Sequence, residues 1–218
     1  MSAQMFEKFL EAFLQTMTMV SVSAVIAFSL GLPLAVLMVV TAPSGISPRP
    51  RLYWITALLI DGVRSTPFII LLVLLIPVTR LVLGSAIGIQ AAIVPLTLGI
   101  TPYFARITEI SLRGVDRGLI EAAQAMGFTR RHIIRHVLLT EAAPGIVSGM
   151  IIVIIALFNT SAMAGALGAG GLGDLAIRYG YQRYDLALMA YVVILLFVLV
   201  LTIQRGGDRL VRYMRRYR

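Results

Sequence analysis

The 218-residue chain carries few side chains that could perform covalent chemistry. It contains no cysteine, which excludes thiol nucleophiles, disulfide scaffolds and cysteine-ligated metal centres. Its single lysine, Lys8, stands between Glu7 and Phe9, whereas a phosphate-binding loop places lysine after glycine and before serine or threonine. His132 and His136 have the i, i+4 spacing of a metal pair, but no glutamate completes a zinc-hydrolase pattern. We therefore expect no catalytic residue, no metal site and no nucleotide site.

Several glycines have spacings that are typical of binding or packing motifs. Residues 168–173 fit the glycine pattern of a dinucleotide-binding loop, which has that meaning only between a strand and a helix. Because an apolar stretch precedes them, we interpret them as a flexible re-entrant turn or a close helix contact. The pairs Gly84/Gly88 and Gly145/Gly149 have the spacing that favours close helix packing.

Acidic residues are rare in the apolar stretches. Of ten acidic residues, Asp61 is the only one that we place within such a stretch, three residues before Arg64. Ion-coupled carriers usually bury carboxylates or histidines in their spans, so this pattern argues against ion coupling. The simplest interpretation of Asp61 and Arg64 is an ion pair at the membrane interface.

A polar run interrupts a later aliphatic stretch. It consists of Asn159, Thr160 and Ser161, followed by the flexible and polarisable Met163. Polar runs in membrane helices seldom face lipid, so we predict that these four residues line a translocation pathway with Met163 as an apolar gate. The alternative is interhelical hydrogen bonding and core packing.

Composition places these residues in a membrane. The chain is 59% hydrophobic and 13% charged, against about 45–50% and about 25% in soluble domains; its mean hydropathy is +0.91. We predict an all-α integral membrane helix bundle with five transmembrane helices, because five segments are long enough to cross about 30 Å of hydrocarbon. These spans are residues 17–40, 54–78, 87–107, 144–164 and 186–204.

The predicted domain organisation is simple. A single transmembrane domain covers residues 17–204, and a basic tail covers residues 205–218. The first residues, 1–16, have an amphipathic pattern, and we expect a helix that lies on the membrane surface or packs on the bundle.

Positive charge sets the predicted orientation. Fifteen arginines fall in or beside the segments on one side of the spans, whereas the other side has only Lys8, Arg80, Arg178 and Arg183. By the positive-inside rule the N-terminus is outside and the C-terminus is cytoplasmic. The same distribution explains the net charge of +9 by membrane-flanking arginines facing anionic headgroups, so we expect membrane lipids and no nucleic acid as partners.

The segment between the third and fourth spans, residues 106–143, is predicted to form a cytoplasmic helical hairpin. A helix over 119–126 should stop at Gly127, and Thr129 should cap a second helix over 130–139. Pro144 then fits the first turn of the next span. The hairpin's small, partly apolar surface suits docking into a groove on a soluble partner, and a solvated hairpin without a partner is the alternative.

One motif in this hairpin resembles a known family. Glu121-Ala122-Ala123, followed by Gly127, is similar to the EAA loop of binding-protein-dependent ABC importer permeases. In that family the loop helix docks on the ATPase, which implies that coupling involves Glu121, Ala122, Ala123, Met126 and Gly127. Thr140 stands where the family usually has proline.

Further stretches resemble the permeases of methionine ABC importers: residues 64–72, 90–97, 161–163 and 168–173. The resemblance implies a subunit that imports D/L-methionine as a homodimer in the bacterial inner membrane. Implied partners are a cytoplasmic ATPase dimer, which binds ATP and magnesium, and an extracytoplasmic methionine-binding lipoprotein. The residues leave two alternatives open, a permease for another amino acid and an ATP-independent channel or scaffold subunit.

Overall fold

In a computed structural model of the chain, residues 3–216 are described, and all regular elements among them are helices. Four of these helices are long and apolar enough to cross a membrane, and a bent pair supplies a fifth by length and composition. The predicted all-α membrane bundle is thus confirmed.

The helices are α1 (Ala3–Thr41), α2 (Pro50–Ser65), α3 (Phe68–Leu74), α4 (Ile76–Leu83), α5 (Ile89–Arg113), α6 (Arg117–Ala125), α7 (Arg130–His132), α8 (Leu139–Ala164), α9 (Gly171–Leu175) and α10 (Leu186–Arg216). A π-helical segment directly follows α7 and another follows α8, over Ile133–Leu138 and Gly165–Ala169. A third, Ala176–Tyr181, follows α9.

The first helix differs from the expected division at residue 16. No break separates an N-terminal segment from the first span, because neither glycine nor proline occurs in α1 before Gly31. Phe9, Ala12 and Phe13 pack on a second apolar cluster around Leu172, so this segment lies on the bundle.

The expected second span over residues 54–78 is wrong as a single helix. The chain breaks after α2 and bends by 104° into α3. The cause is Pro67, since Thr66 before it takes an extended conformation, with ψ of 126°, as residues that precede proline commonly do. A further short helix, α4, then begins around Pro77.

The expected break before Pro144 is also absent. From Arg130 the chain stays helical through the π-helical segment Ile133–Leu138 into α8, and it includes Pro144. Thr140, which stands where the importer family usually has proline, donates its hydroxyl to the carbonyl of Arg135 (3.2 Å) and keeps its own backbone amide. The hairpin therefore has one short helix, α6, followed by the beginning of a long one.

The core lies among α1, α5 and α8, where Phe104, Met19 and Leu157 are fully buried. Gly31 lets α1 approach α5, since a Cβ there would lie 2.7 Å from the Phe104 ring. Gly145 and Gly149 bring α8 against α5 in the same way, as their spacing predicts. Packing was a wrong interpretation for Gly84 and Gly88, which have positive φ and open space around them, and serve turns instead.

Helix α10 packs on the bundle along one side only. Its opposite side has an exposed stripe that begins with Tyr191, Ile194 and Val198, spaced three and four residues apart. The same spacing continues along the helix into four exposed arginines, Arg205, Arg209, Arg212 and Arg216.

Candidate functional site

The short helix α6 begins at a local cap. Asp116 takes an extended conformation, and its carboxylate accepts a hydrogen bond from the amide of Gly118 (2.8 Å). This arrangement satisfies an amide that the first turn of a helix leaves without a partner. The start of α6 therefore depends on residues within the loop itself.

The other end of α6 is closed by a Schellman motif at Gly127. The amide of Phe128 donates to the carbonyl of Ala123 (3.1 Å), and the amide of Gly127 donates to that of Gln124 (2.9 Å). Gly127 has φ of +78°, which favours glycine. Thr129 then accepts from the amide of His132 (3.3 Å), so both the predicted stop and the predicted cap are confirmed.

The structure separates the five predicted coupling residues into different environments. Ala122 and Met126 are exposed on the outer side of α6, and Met126 is 66% exposed. Ala123 is 2% exposed and packs inward, while Gly127 serves the backbone turn. The fifth residue, Glu121, lines a cavity behind the helix.

The outer side of α6 also includes Leu119, which the motif does not contain. Leu119, Ala122 and Met126 are spaced i, i+3 and i+7, and they form one exposed apolar stripe. The helical spacing alone could have revealed Leu119, since it precedes the other two on the same face. This stripe is an exposed apolar surface on the side of α6 that faces away from the bundle.

A cavity of about 220 Å³ separates α6 from the bundle. Its wall includes Glu121 of α6, Arg113 at the end of α5 and Ser44 in the connection after α1. Because it lies directly behind the exposed stripe, α6 is supported at its ends and at Ala123 more than along its whole length.

A buried carboxylate lies at the base of this region. We expected Glu109 to lie in the connecting segment, but α5 extends to Arg113 and Glu109 is 1% exposed. Its two oxygens accept from Arg106 (2.6 Å) and Arg113 (2.8 Å), which pair a charge that would otherwise be costly to bury. Arg113 also donates to the Tyr53 hydroxyl (3.2 Å), which connects α5 to α2.

The four predicted pathway residues do not share one environment. Asn159 and Met163 are exposed on the same side of α8, one turn apart. Thr160 is partly buried and Ser161 is buried, and both hydroxyls donate to carbonyls of their own helix. Asn159 and Met163 therefore present a surface that faces away from the chain's own core, while Thr160 lines a cavity that α8 shares with α2, α3 and α5.

At the opposite end of the bundle, the glycine-rich residues 168–173 make close contacts. Gln15 and Thr16 of α1 accept hydrogen bonds from the amides of Gly171 (2.7 Å) and Leu172 (2.8 Å). A Cβ on Gly173 would collide with the backbone of Ala162. The glycine pattern thus serves a helix contact, as interpreted from the sequence.

Lys8 also belongs to this second end. Its ammonium group donates to the Tyr179 hydroxyl (2.9 Å), and this hydrogen bond lowers the pKa of Tyr179 below its ordinary value. Arg183 lies over the same ring, 4.6 Å from its centre.

The rings of His132 and His136 stack, with centres 4.3 Å apart, and Phe128 lies against His132. Their ring planes are inclined by 32°, so the two imidazoles lie beside each other. Within residues 3–216, no group of three histidine or acidic side chains is placed to hold a metal ion.

Comparison with known proteins gives consistent matches. Residues 31–216 match the family described as binding-protein-dependent transport system inner membrane component. A Vibrio cholerae protein named probable D-methionine transport system permease protein MetI is 48% identical over 198 residues, 91% of this chain and 88% of the relative. Escherichia coli K12 MetI, named a D-methionine transport system permease protein, is 48% identical over 151 residues, 69% of this chain and 70% of the relative.

A solved structure described as an inward-facing conformation of the MetNI methionine ABC transporter has a similar fold. It aligns with a TM-score of 0.96 and 46% identity, over 98% of this chain and 99% of that chain.

Proposed function

We propose that this chain, which belongs to the family of binding-protein-dependent transport system inner membrane components, is the permease subunit of an ATP-driven methionine importer. The observation that carries the proposal is the likeness, over nearly the whole chain, to proteins named as methionine permeases. In this assembly the permease moves the substrate, and a partner subunit binds ATP and magnesium and hydrolyses the nucleotide.

The outer stripe of α6 is the proposed contact with a cytoplasmic ATPase dimer. Leu119, Ala122 and Met126 would enter a groove on the ATPase, because exposed apolar side chains at helical spacing fit such grooves. Capping at Asp116 and Gly127 supports this role, since it lets the short helix move as one piece. Glu121 would contribute from the side of α6 that faces the bundle, where it lines the cavity that gives α6 room to shift.

Two copies of the chain would enclose the pathway between them. Asn159 and Met163 are the residues that we assign to its wall, and Met163 would close it as a flexible apolar gate. A methionine-binding lipoprotein would deliver substrate at the glycine-rich end. The N-terminus would then be outside and the C-terminus cytoplasmic, as the arginine distribution indicates.

The test begins with purification of the tagged chain from its native membrane and identification of co-purifying proteins by mass spectrometry. We expect an ABC ATPase at one copy per permease and a methionine-binding lipoprotein. The recovered complex is then placed in liposomes, and ATP-dependent uptake of labelled D- and L-methionine is measured against competing amino acids.

The outcomes separate the alternatives. Strong competition by another amino acid with no methionine uptake would assign a different substrate to the same permease. Purification of the chain alone, in a detergent that preserves a known ABC importer, would favour a channel or scaffold and remove the coupling role of α6.

A further inference from the structure

A second cavity, of about 340 Å³, opens where α2 breaks away from α3. Helices α5 and α8 form its remaining walls, and its volume is at the lower end of the range for small-molecule sites. Breaks in membrane helices commonly mark substrate sites of transporters, because the interrupted backbone and its neighbours line a cavity. This cavity is distinct from the one behind α6.

The cavity contains a charged group at the level of the spans. Arg64 lines it, and its guanidinium carbon lies 6.0 Å from the centre of the Tyr103 ring. Tyr103 is ten residues before the end of α5, about 15 Å along that helix. Arg64 adjoins other charges, since its partner Asp61 also lies 4.0 Å from Arg106. Charged side chains beside membrane spans often belong to substrate pathways.

Arg64 keeps donors for a ligand. Its hydrogen bond to Asp61 (3.1 Å) uses one of the five N–H groups of the guanidinium. The side chain is 32% exposed, and the planar group suits bidentate binding of a carboxylate. The ion pair expected between Asp61 and Arg64 therefore exists, and Arg64 also lines this cavity.

Two threonine hydroxyl groups in the cavity wall can accept hydrogen bonds, whereas Arg64 can only donate them. Thr66 donates to the carbonyl of Gly62 (3.1 Å), and Thr160 donates to that of Ala156 (3.1 Å). With their protons committed, both oxygens present lone pairs to a ligand, which suits a donor such as an ammonium group. The rest of the wall is largely apolar and includes Phe68, Leu71, Leu96 and Ile100.

We propose that this cavity is a transient binding site for an amino acid with an apolar side chain. Arg64 binds the α-carboxylate, and Thr66 and Thr160 accept hydrogen bonds from the α-ammonium group. The thioether side chain of methionine lies against Phe68 and Ile100. This inference rests on the proposed function, and it adds a substrate site within the permease to the delivery by a separate binding protein.

The first test compares Arg64→Gln with Arg80→Gln in the reconstituted complex of permease, ATPase and binding protein. Arg80 is an exposed arginine on α4, outside the cavity, so it controls for the loss of one positive charge. We expect Arg64→Gln to lower methionine uptake about tenfold, as loss of a charge-assisted hydrogen bond predicts. ATP hydrolysis stimulated by the binding protein should persist, and Arg64→Lys should recover part of the uptake.

The result distinguishes the two proposals. If the wild-type complex assembles but does not take up methionine, the proposed function fails. If the wild-type complex takes up methionine and Arg64→Gln does so at the same rate, the site is overturned while the function stands.

A second measurement does not depend on how the variant folds. The wild-type permease–ATPase complex, without binding protein, is irradiated with a diazirine analogue of methionine, and labelled peptides are identified by mass spectrometry. We expect label within residues 63–71, 96–103 or 156–160, which line the cavity, and unlabelled methionine should displace it. Displaceable label found only in other parts of the permease, or no label in it, would overturn the site.

Discussion

At the α6 end of the bundle, Asp116 and Thr129 cap the helices that begin directly after them. At the glycine-rich end, the amides of the turn into α9 are bound by Gln15 and Thr16, which are 156 residues earlier in the chain. The first end is therefore specified by neighbouring residues, and the second end by the tertiary packing of α1. A surface that must move with a partner gains from the first kind of construction.

Glycine shows the same contrast. Gly127 has φ of +78°, and a Cβ at this position would have no neighbour within 4 Å. Glycine is therefore needed here for its backbone conformation. Gly173 is needed because no space remains for a side chain at this position. A Cβ there would lie 2.6 Å from the Cα of Ala162 and still closer to the carbonyl oxygen of that residue. Substitution should therefore affect the turn at one end and the packing of the bundle at the other.

The largest effect is expected for Gly173→Val. The added side chain meets backbone, which cannot rotate away, so we expect a loss of at least about 3 kcal/mol in the free energy of unfolding. The thermal midpoint in detergent should fall by about 6–12 °C for a chain of this size.

The matched control is Gly206→Ala on α10, where a Cβ meets nothing within 4 Å. The thermal midpoint of this variant should equal that of the wild type or rise slightly, because alanine has a better helix propensity than glycine. Equal losses for the two variants would mean that the close contact of Gly173 is not what determines stability.

A smaller effect is expected for Glu109→Gln, which removes the negative charge shared by two arginines. The glutamate is buried, but Arg106 and Arg113 are 32% and 40% exposed, so we expect a loss of about 2 kcal/mol. Thermal unfolding checks this against Asp174→Asn at the glycine-rich end. The partner of Asp174, Arg178, is 61% exposed. Loss of this ion pair should lower the free energy of unfolding by less than about 1 kcal/mol.

Equal changes in these two variants would contradict the expectation that the buried charge of Glu109 matters more for stability than the exposed Asp174–Arg178 pair. A larger loss at Asp174 would reverse the comparison, since charge would then matter more at the glycine-rich end.

Of the three main variants, Gly127→Ala should have the smallest effect on stability, about 1 kcal/mol of local strain at a positive φ. Because the strain is confined to the end of α6, the thermal midpoint should hardly change, while ATP-driven uptake should fall several-fold if α6 transmits the ATPase motion. Gly118→Ala, in the first turn of α6 and without positive φ, is the control and should retain uptake. A large drop in the thermal midpoint of Gly127→Ala would show instead that its turn supports the whole bundle.

The contrast between the two ends also explains what the sequence could predict. The cap at Thr129 and the stop at Gly127 were predictable because their partners lie a few residues away. The break at Thr66–Pro67 was missed because the apolar residues on both sides of it were joined into one span, although the polar residues 64–66 and the proline were available signals. The burial of Glu109 was missed because it depends on where α5 ends and on which helices pack around it, although its partners Arg106 and Arg113 lie only three and four residues away.

The predicted pathway residues show a further limit. Hydropathy identified the polar run on α8, but which of its members faces outward depends on the rotation of the helix against α5. The structure leaves Asn159 and Met163 exposed and turns Ser161 inward, a distinction that needs the packing of neighbouring helices.

The exposed stripe of α10 has a consequence for the membrane in which the chain resides. Residues 186–203, before the arginines, span about 27 Å as a helix, slightly less than the thickness of an average hydrocarbon layer. Because guanidinium groups do not enter hydrocarbon without cost, Arg205 and Arg209 fix how deep this helix lies. A thicker, sterol-rich or long-chain bilayer would have to thin around the protein, so α10 matches the chain to a membrane of moderate thickness.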